Sequence, residues 1–236
     1  MQKEKELTGE VGSIVYAWDV LNEYIHRSNA AAATTWVSVY GDMGLKPTYV
    51  KAAFEYAYDE LKKQNVQNKV TLFYNDYDTY FSVDDELVLI SYINEGEEAK
   101  ICGGIGMQSH VDIKVPTIEL YGTALEKFLA AGYEVQITEL DVTINYDTNG
   151  SYSYADEKET NADQAKYVGQ LMKTILEKNR SRDKNVNPKG VTGITLWGLY
   201  DTISWRASCS PLLFDTGITD PKASFYEFIN AAKSMG

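Results

Sequence analysis

The sequence predicts an α/β protein built on a parallel sheet, and three observations carry that prediction. Five short apolar runs lack strict alternation, as expected of strands covered on both faces, and each is followed by a segment of helical periodicity. Two of these regions, Val15–Glu23 and Val135–Asp141, each deliver a glutamate where the apolar run ends. Strands alternating with helices imply βαβ units. A doubly wound sheet and a closed barrel share this signature, so periodicity alone does not choose between them.

In chain order, the first strand is expected over Ile14–Val20, followed by a long polar stretch, Arg27–Lys46. A helix over Pro47–Lys63 follows, with proline near its start, where a missing N–H costs nothing. The next strand, Val70–Asn75, leads into a weaker helical pattern over Ser82–Glu95. Gly104–Gln108 is the third strand, and Pro116–Ala131 is a helix stopped by Gly132. Val135–Leu140 is the fourth strand, followed by a second polar stretch, Asn145–Thr160, and a helix over Asn161–Lys178. Gly193–Trp197 and a last helix, Lys222–Lys233, complete the series. Polar stretches as long as these two, each following a strand, are usually functional in a compact domain.

At 236 residues the chain is long enough to bury a sizeable core, and no repeat or Pro/Gly/Ser-rich linker divides it. A net charge of −12 argues against nucleic acid or an anionic membrane surface as partner, since both require clustered Lys and Arg. No apolar run is long enough to cross a membrane, and the polar start Met1–Lys5 is not a signal peptide. Cys102 and Cys209 are too few for a disulfide framework and lack metal-ligand spacing, so free thiols are expected. Eighteen tyrosines and four tryptophans supply flat amphipathic rings, which serve equally as core and as platforms for sugars.

Strand-end carboxylates are the residues best placed for chemistry in a β/α barrel. Glu23 follows Asn22, an amide able to bind a hydroxyl beside an acid; the same pair also serves as an ordinary helix cap. Glu139 could act as a nucleophile or be a plain exposed acid. Two converging carboxylates are the equipment of glycoside hydrolysis. His110, one of two histidines, ends the segment Gly104–His110, where it could hold the ionisation of a neighbouring carboxylate with Asp141 fixing its tautomer, or be a satisfied structural residue. His26 reads as a solvated loop residue. Trp197 and Trp205, among Gly, Asp, Ser and Arg, are badly placed for a core and well placed to enclose a sugar ring. Two histidines and no cysteine cluster leave too little to build a catalytic metal site.

Taken together, Trp18–Glu23, Tyr74–Tyr77, Gly104–His110, Ile137–Asp141 and Trp197–Arg206 resemble, in order and approximate spacing, glycoside hydrolase family 10, the retaining endo-β-1,4-xylanases. The resemblance runs from about Val11 to the end of the chain. It implies a (β/α)8 TIM barrel with Glu23 as acid/base and Glu139 as nucleophile, supported by His110 and Asp141. It further implies sugar contacts from Asn22, Asn75, Tyr77, Gln108, Trp197 and Trp205, with no cofactor and no metal. The substrate implied is xylan and its oligosaccharides, and the parent enzyme is expected to be secreted.

One departure from the family is large. Its acid/base ends the fourth strand, and here about ten residues precede that strand. The resemblance therefore implies that residues 1–236 form one N-terminally incomplete catalytic domain supplying about five of the eight βα units, strands 4 to 8. Missing with the first three units are the family's glycone-binding Glu-Asn and Lys. The expected activity is retaining endo-xylanase. The alternative is a catalytically weak fragment that binds xylan, or needs an N-terminal partner chain, or self-associates through exposed barrel edges; a glucan-cleaving relative is the third reading.

Overall fold

The computed structural model describes residues 2–27, 36–145 and 159–234. The chain forms two compact units, one up to Gly106 and one from Met107 onward. In the first, α1 (Gln2–Thr8) precedes β1 (Ala17–Asn22), the single turn α2 (Ser38–Tyr40), α3 (Thr48–Lys63), β2 (Thr71–Asp76) and α4 (Thr79–Ile93). Strand β3 (Gly104–Met107) runs across the division. In the second, β4 (His110–Asp112), α5 (Ile118–Ala130), β5 (Glu134–Thr143), α6 (Asn161–Ser181), β6 (Val191–Leu196) and α7 (Ala223–Ser234) follow in order. Residues 28–35 of the polar stretch Arg27–Lys46 and residues 146–158 of Asn145–Thr160 lie outside the described residues.

In the first unit β1 and β2 pair in parallel, from Ala17 opposite Thr71 to Asn22 opposite Asn75, with an irregularity between Asp19 and Leu21. Every residue of β2 is buried. Gly104 explains part of that density: a Cβ there would come within 2.4 Å of the Phe73 ring. Helix α3 begins directly after Pro47 and turns Val50, Phe54 and Leu61 inward at helical spacing, while Lys62 and Lys63 meet the negative end of its dipole. Helix α1 was not foreseen. Glu4 on it accepts backbone N–H bonds from Gly12, Ile14 and Val15 at 3.0, 2.6 and 2.9 Å, and these bonds hold its carboxyl down to about 2.

In the second unit β5 is the central strand, parallel to β4 through His110 opposite Asp141 and to β6 through Val135 opposite Val191. Thr117 caps α5 by accepting the Leu120 N–H at 3.2 Å, and Thr160 with Asp163 forms a reciprocal box at the start of α6. Such caps contribute about 1 kcal/mol each. Gly122 lets α5 approach α6 closely, since a Cβ would meet the Thr174 methyl at 2.8 Å. Cys102 and Cys209 are both free and buried.

Three expectations need correction. His110 opens a strand of its own, β4, rather than sitting just past one, because Ser109 takes a left-handed φ of 63° and breaks the extended run after β3. Glu139 lies inside β5 rather than at its end, since pairing with β4 carries that strand on to Thr143. Finally, β1 and β6 are not covered on both faces; among the described residues each has a single ladder partner, and Ile14, Tyr16 and Trp18 are 56–60% exposed.

Candidate active site

In the first unit the predicted side chains gather where β1 and β2 end. Glu23 sits one residue beyond β1 with φ of 60°, in the left-handed region that costs a side-chain-bearing residue energy. Its backbone N–H donates to the Asn75 carbonyl at 2.9 Å, which holds that turn. Asn22 Nδ2 donates to Glu23 Oε1 at 3.1 Å, and Asn75 Nδ2 donates to Asn22 Oδ1 at 2.9 Å. The predicted residues Asn22, Glu23 and Asn75 are thus one hydrogen-bonded row.

Behind that row lies a group the sequence reading missed. The buried Asp76 carboxylate accepts the backbone N–H of Ile25 at 3.1 Å and of Tyr77 at 2.8 Å, and the Tyr74 hydroxyl donates to it as well. His26 Nδ1 lies 2.7 Å from Asp76 Oδ1, and its ring stacks on Tyr77 at 3.7 Å. The expectation of a solvated loop histidine is therefore wrong: the turn after Glu23 folds back, and His26 is half-buried. Burial opposes its charge, but the Asp76 hydrogen bond and the nearby charges of Asp76, Asp78 and Glu23 prevail and raise its pKa. The available signal was Asp76 itself, inside the Tyr74–Tyr77 segment.

In the second unit the register of β4 on β5 sets His110 directly opposite Asp141. His110 Nδ1 lies 2.9 Å from Asp141 Oδ2, and its Nε2 lies 3.3 Å from Glu139 Oε2. Burial works against a charged imidazole here, yet the hydrogen bonds and charges of Asp141 and Glu139 raise it to about 8. Asp141 also accepts the Trp205 indole N–H at 2.8 Å, and the Arg206 guanidinium lies 3.7 Å from its other oxygen. Trp205 and Trp197 meet the His110 ring edge-on at 5.0 and 6.3 Å, each with about half its surface open. The backbone carbonyl of the buried Gln108 accepts the Glu139 N–H at 3.0 Å.

The loop that carries both tryptophans is pinned from below. Lys222 Nζ donates to Asp201 Oδ2 at 2.9 Å and to the Ser210 carbonyl at 2.7 Å, and Asp201 Oδ1 accepts the Leu212 N–H at 2.7 Å. Nothing in the local sequence pairs Asp201 with Lys222; the contact comes from the return of the chain into α7. The ten predicted residues thus fall into two clusters, with Asn22, Glu23, Asn75 and Tyr77 in the first unit and Gln108, His110, Glu139, Asp141, Trp197 and Trp205 in the second. Among the described residues no group of His, Cys, Asp and Glu is arranged to hold a metal ion, and no helix is long and apolar enough to cross a membrane.

Comparison with known proteins adds the following. The sequence profile of glycosyl hydrolase family 10 matches residues 5–231. Endo-1,4-beta-xylanase A of Butyrivibrio fibrisolvens is 39% identical over 215 residues, covering 91% of this chain and 46% of that protein. The bifunctional endo-1,4-beta-xylanase of Ruminococcus flavefaciens is 33% identical over 231 residues, 93% of this chain and 20% of its own length. The chain therefore spans less than half the length of these relatives. Among solved structures, a thermostable mutant of a Cellvibrio japonicus xylanase superposes with a TM-score of 0.71 at 24% identity, over 95% of this chain and 66% of that one. That likeness is one of fold, a (β/α)8 barrel.

Proposed function

The chain belongs to glycosyl hydrolase family 10, and on that footing we propose that it cleaves internal β-1,4-xylosidic bonds of xylan by double displacement with retention. The observation that carries the proposal is the chain of contacts Glu139–His110–Asp141 beneath two half-exposed tryptophans. An imidazolium donating to Glu139 aims that carboxylate, while Asp141 fixes the ring. Glu139 attacks the anomeric carbon and forms a xylosyl ester as Glu23 gives its proton to the leaving oxygen; Glu23 then takes a proton from the water that hydrolyses the ester. Asn22 binds the 2-hydroxyl, Asn75 and Tyr77 meet the leaving-group sugar, Gln108 flanks the nucleophile, and Trp197 and Trp205 enclose the ring being cleaved. The chemistry requires the two carboxyl groups to meet at about 5–5.5 Å. In this reading the chain carries the fourth to eighth βα units of the barrel, and the parent enzyme works outside the cell, where its polymeric substrate is.

The test is hydrolysis of xylan and of carboxymethylcellulose by this chain, with Glu139→Gln and Glu23→Ala variants on activated and unactivated substrates. Glu139→Gln is expected to abolish turnover, while Glu23→Ala spares substrates with good leaving groups. Inverted product, or equal losses on both substrate types for Glu23→Ala, would count against these roles. A second reading is favoured by the exposed apolar residues Ile14, Tyr16 and Trp18 around β1: the chain binds xylan, and turnover needs a further polypeptide against that strand. Adding an N-terminal piece carrying the first three units separates the two, since the second reading requires activity to rise with it.

A further inference from the structure

Between β3 and β4 the backbone turns at a single residue, Ser109, whose φ of 63° lies in the left-handed region that a side-chain-bearing residue enters only at a cost. The turn has a geometric consequence. In a regular strand successive carbonyls point to opposite sides, so a neighbouring strand receives every second one. Here two in succession bond to β5: the Gln108 carbonyl accepts the Glu139 N–H at 3.0 Å, and the Ser109 carbonyl accepts the Asp141 N–H at 3.3 Å. The left-handed residue thus ties the chain to both carboxylate-bearing positions at once. The next residue is His110, whose ring lies 2.9 Å from Asp141 and 3.3 Å from Glu139.

Ser109 is gripped from outside the strand. It is buried, and its hydroxyl donates to the Met107 carbonyl at 3.2 Å. With that proton committed, the Tyr121 hydroxyl at 2.8 Å is the donor to Ser109 Oγ. Tyr121 is wholly buried in the first turn of α5, and burial pushes its phenol up, so it keeps the proton it donates throughout the neutral range. The start of α5 is itself fixed: Thr117 caps it, and the buried Tyr167 of α6 donates to the Pro116 carbonyl at 2.7 Å. Phenylalanine would fill the same space with no polar atom to satisfy, so the turn it meets accounts for the buried hydroxyl.

We infer that Tyr121 is a positioning residue for the nucleophile: acting through Ser109, its hydroxyl holds the one-residue turn that sets His110 between Asp141 and Glu139. The inference rests on the xylanase reading above, in which His110 aims Glu139. The charged groups facing the His110 ring are Asp141 and Glu139 from β5, with Arg206, on the loop after β6, 3.7 Å from Asp141. Loss of the Tyr121 hydroxyl lets Ser109 relax toward ordinary extended backbone and draws His110 away from both carboxylates.

The experiment is an NMR titration of the imidazole C–H signals of the full chain, with kinetics on an activated aryl xyloside, for Tyr121→Phe, Ser109→Gly and the double variant. Tyr121→Phe is expected to move the His110 midpoint from about 8 toward its ordinary 6.5, by about 0.5, and to lower kcat roughly fivefold, the scale of one hydrogen bond, with KM held within about twofold. His26, in the first unit, is the internal reference, and its midpoint stays fixed. Glycine takes a left-handed φ freely and offers no hydroxyl, so Tyr121→Phe adds no further change on top of Ser109→Gly. A lower melting temperature with the His110 midpoint and kcat unmoved would overturn the inference, as would equal effects of Tyr121→Phe with and without Ser109→Gly. If Tyr121→Phe fails to fold, Ser109→Ala and Ser109→Gly decide. Alanine keeps the strain and loses the hydroxyl, so it is expected to lower the His110 midpoint more than glycine does, and equal midpoints would overturn the inference. The titration needs no turnover, so an inactive parent whose His110 midpoint still falls in Tyr121→Phe would count against the xylanase reading while supporting the hold on His110.

Discussion

His110 makes two demands on its surroundings that a surface histidine does not: two carboxylates within hydrogen-bond reach and enough burial to make the charge count. Its pKa near 8 has a consequence of definite sign. A group whose folded pKa is raised contributes stability that is fully present below its ordinary value of 6.5 and is lost as pH rises through about 8. His110→Asn is therefore expected to flatten the decline in melting temperature across that interval, and to lower kcat by ~10²-fold because a preorganised donor to Glu139 is gone; thermal melts and kinetics across that range check both. His26 was misread from sequence because its partner Asp76 is fifty residues away and no local pattern joins them. His26→Ala, which frees both the Tyr77 ring and the turn after Glu23, is expected to reduce kcat/KM on oligosaccharides more than on activated aryl xylosides. His26→Phe, keeping the stack without the hydrogen bond, and His26→Asn, keeping a polar partner without the stack, divide the two contributions, whereas a purely structural role predicts equal losses on both substrates.

At the scale of elements, periodicity located the main helices and strands because their buried stripes are regular, as in Val50, Phe54 and Leu61 of α3. It failed where geometry depends on one backbone angle or on a distant strand: Ser109 turns the chain so that His110 starts a new strand, and β4 lengthens β5 past Glu139. Helix α1 escaped because its sequence is polar and its docking depends on one side chain, Glu4, accepting N–H groups eight to eleven residues on. A depressed carboxyl stabilises the fold above its ordinary pKa of 4.5 and loses that contribution as pH falls through about 2. Glu4→Gln is expected to lower the melting temperature at neutral pH, to bring faster amide exchange at Ile14 and Val15, and to weaken the acid dependence. Unchanged exchange at those two amides would show that α1 does not brace the entry to β1.

For the molecule as a whole, the charge balance argues against a nucleic-acid partner and the motif set carried the family, while β1 and β6 each have one ladder partner among the described residues. An edge strand with apolar neighbours is a template for another chain. We expect sedimentation of the isolated chain to show concentration-dependent association, promoted by salt because a net charge of −12 repels like molecules until it is screened; a compact monomer with full activity would contradict the incomplete-barrel reading. The central claim is that Glu139 is the nucleophile of a retaining glycosidase. It is tested most directly by treating the chain with a 2-fluoro xylobioside bearing a good leaving group and mapping the product by mass spectrometry. The account predicts one glycosyl adduct per chain, on the peptide containing Glu139 and absent in Glu139→Gln. Turnover of the unfluorinated substrate with no adduct, or an adduct on any other residue, would contradict it.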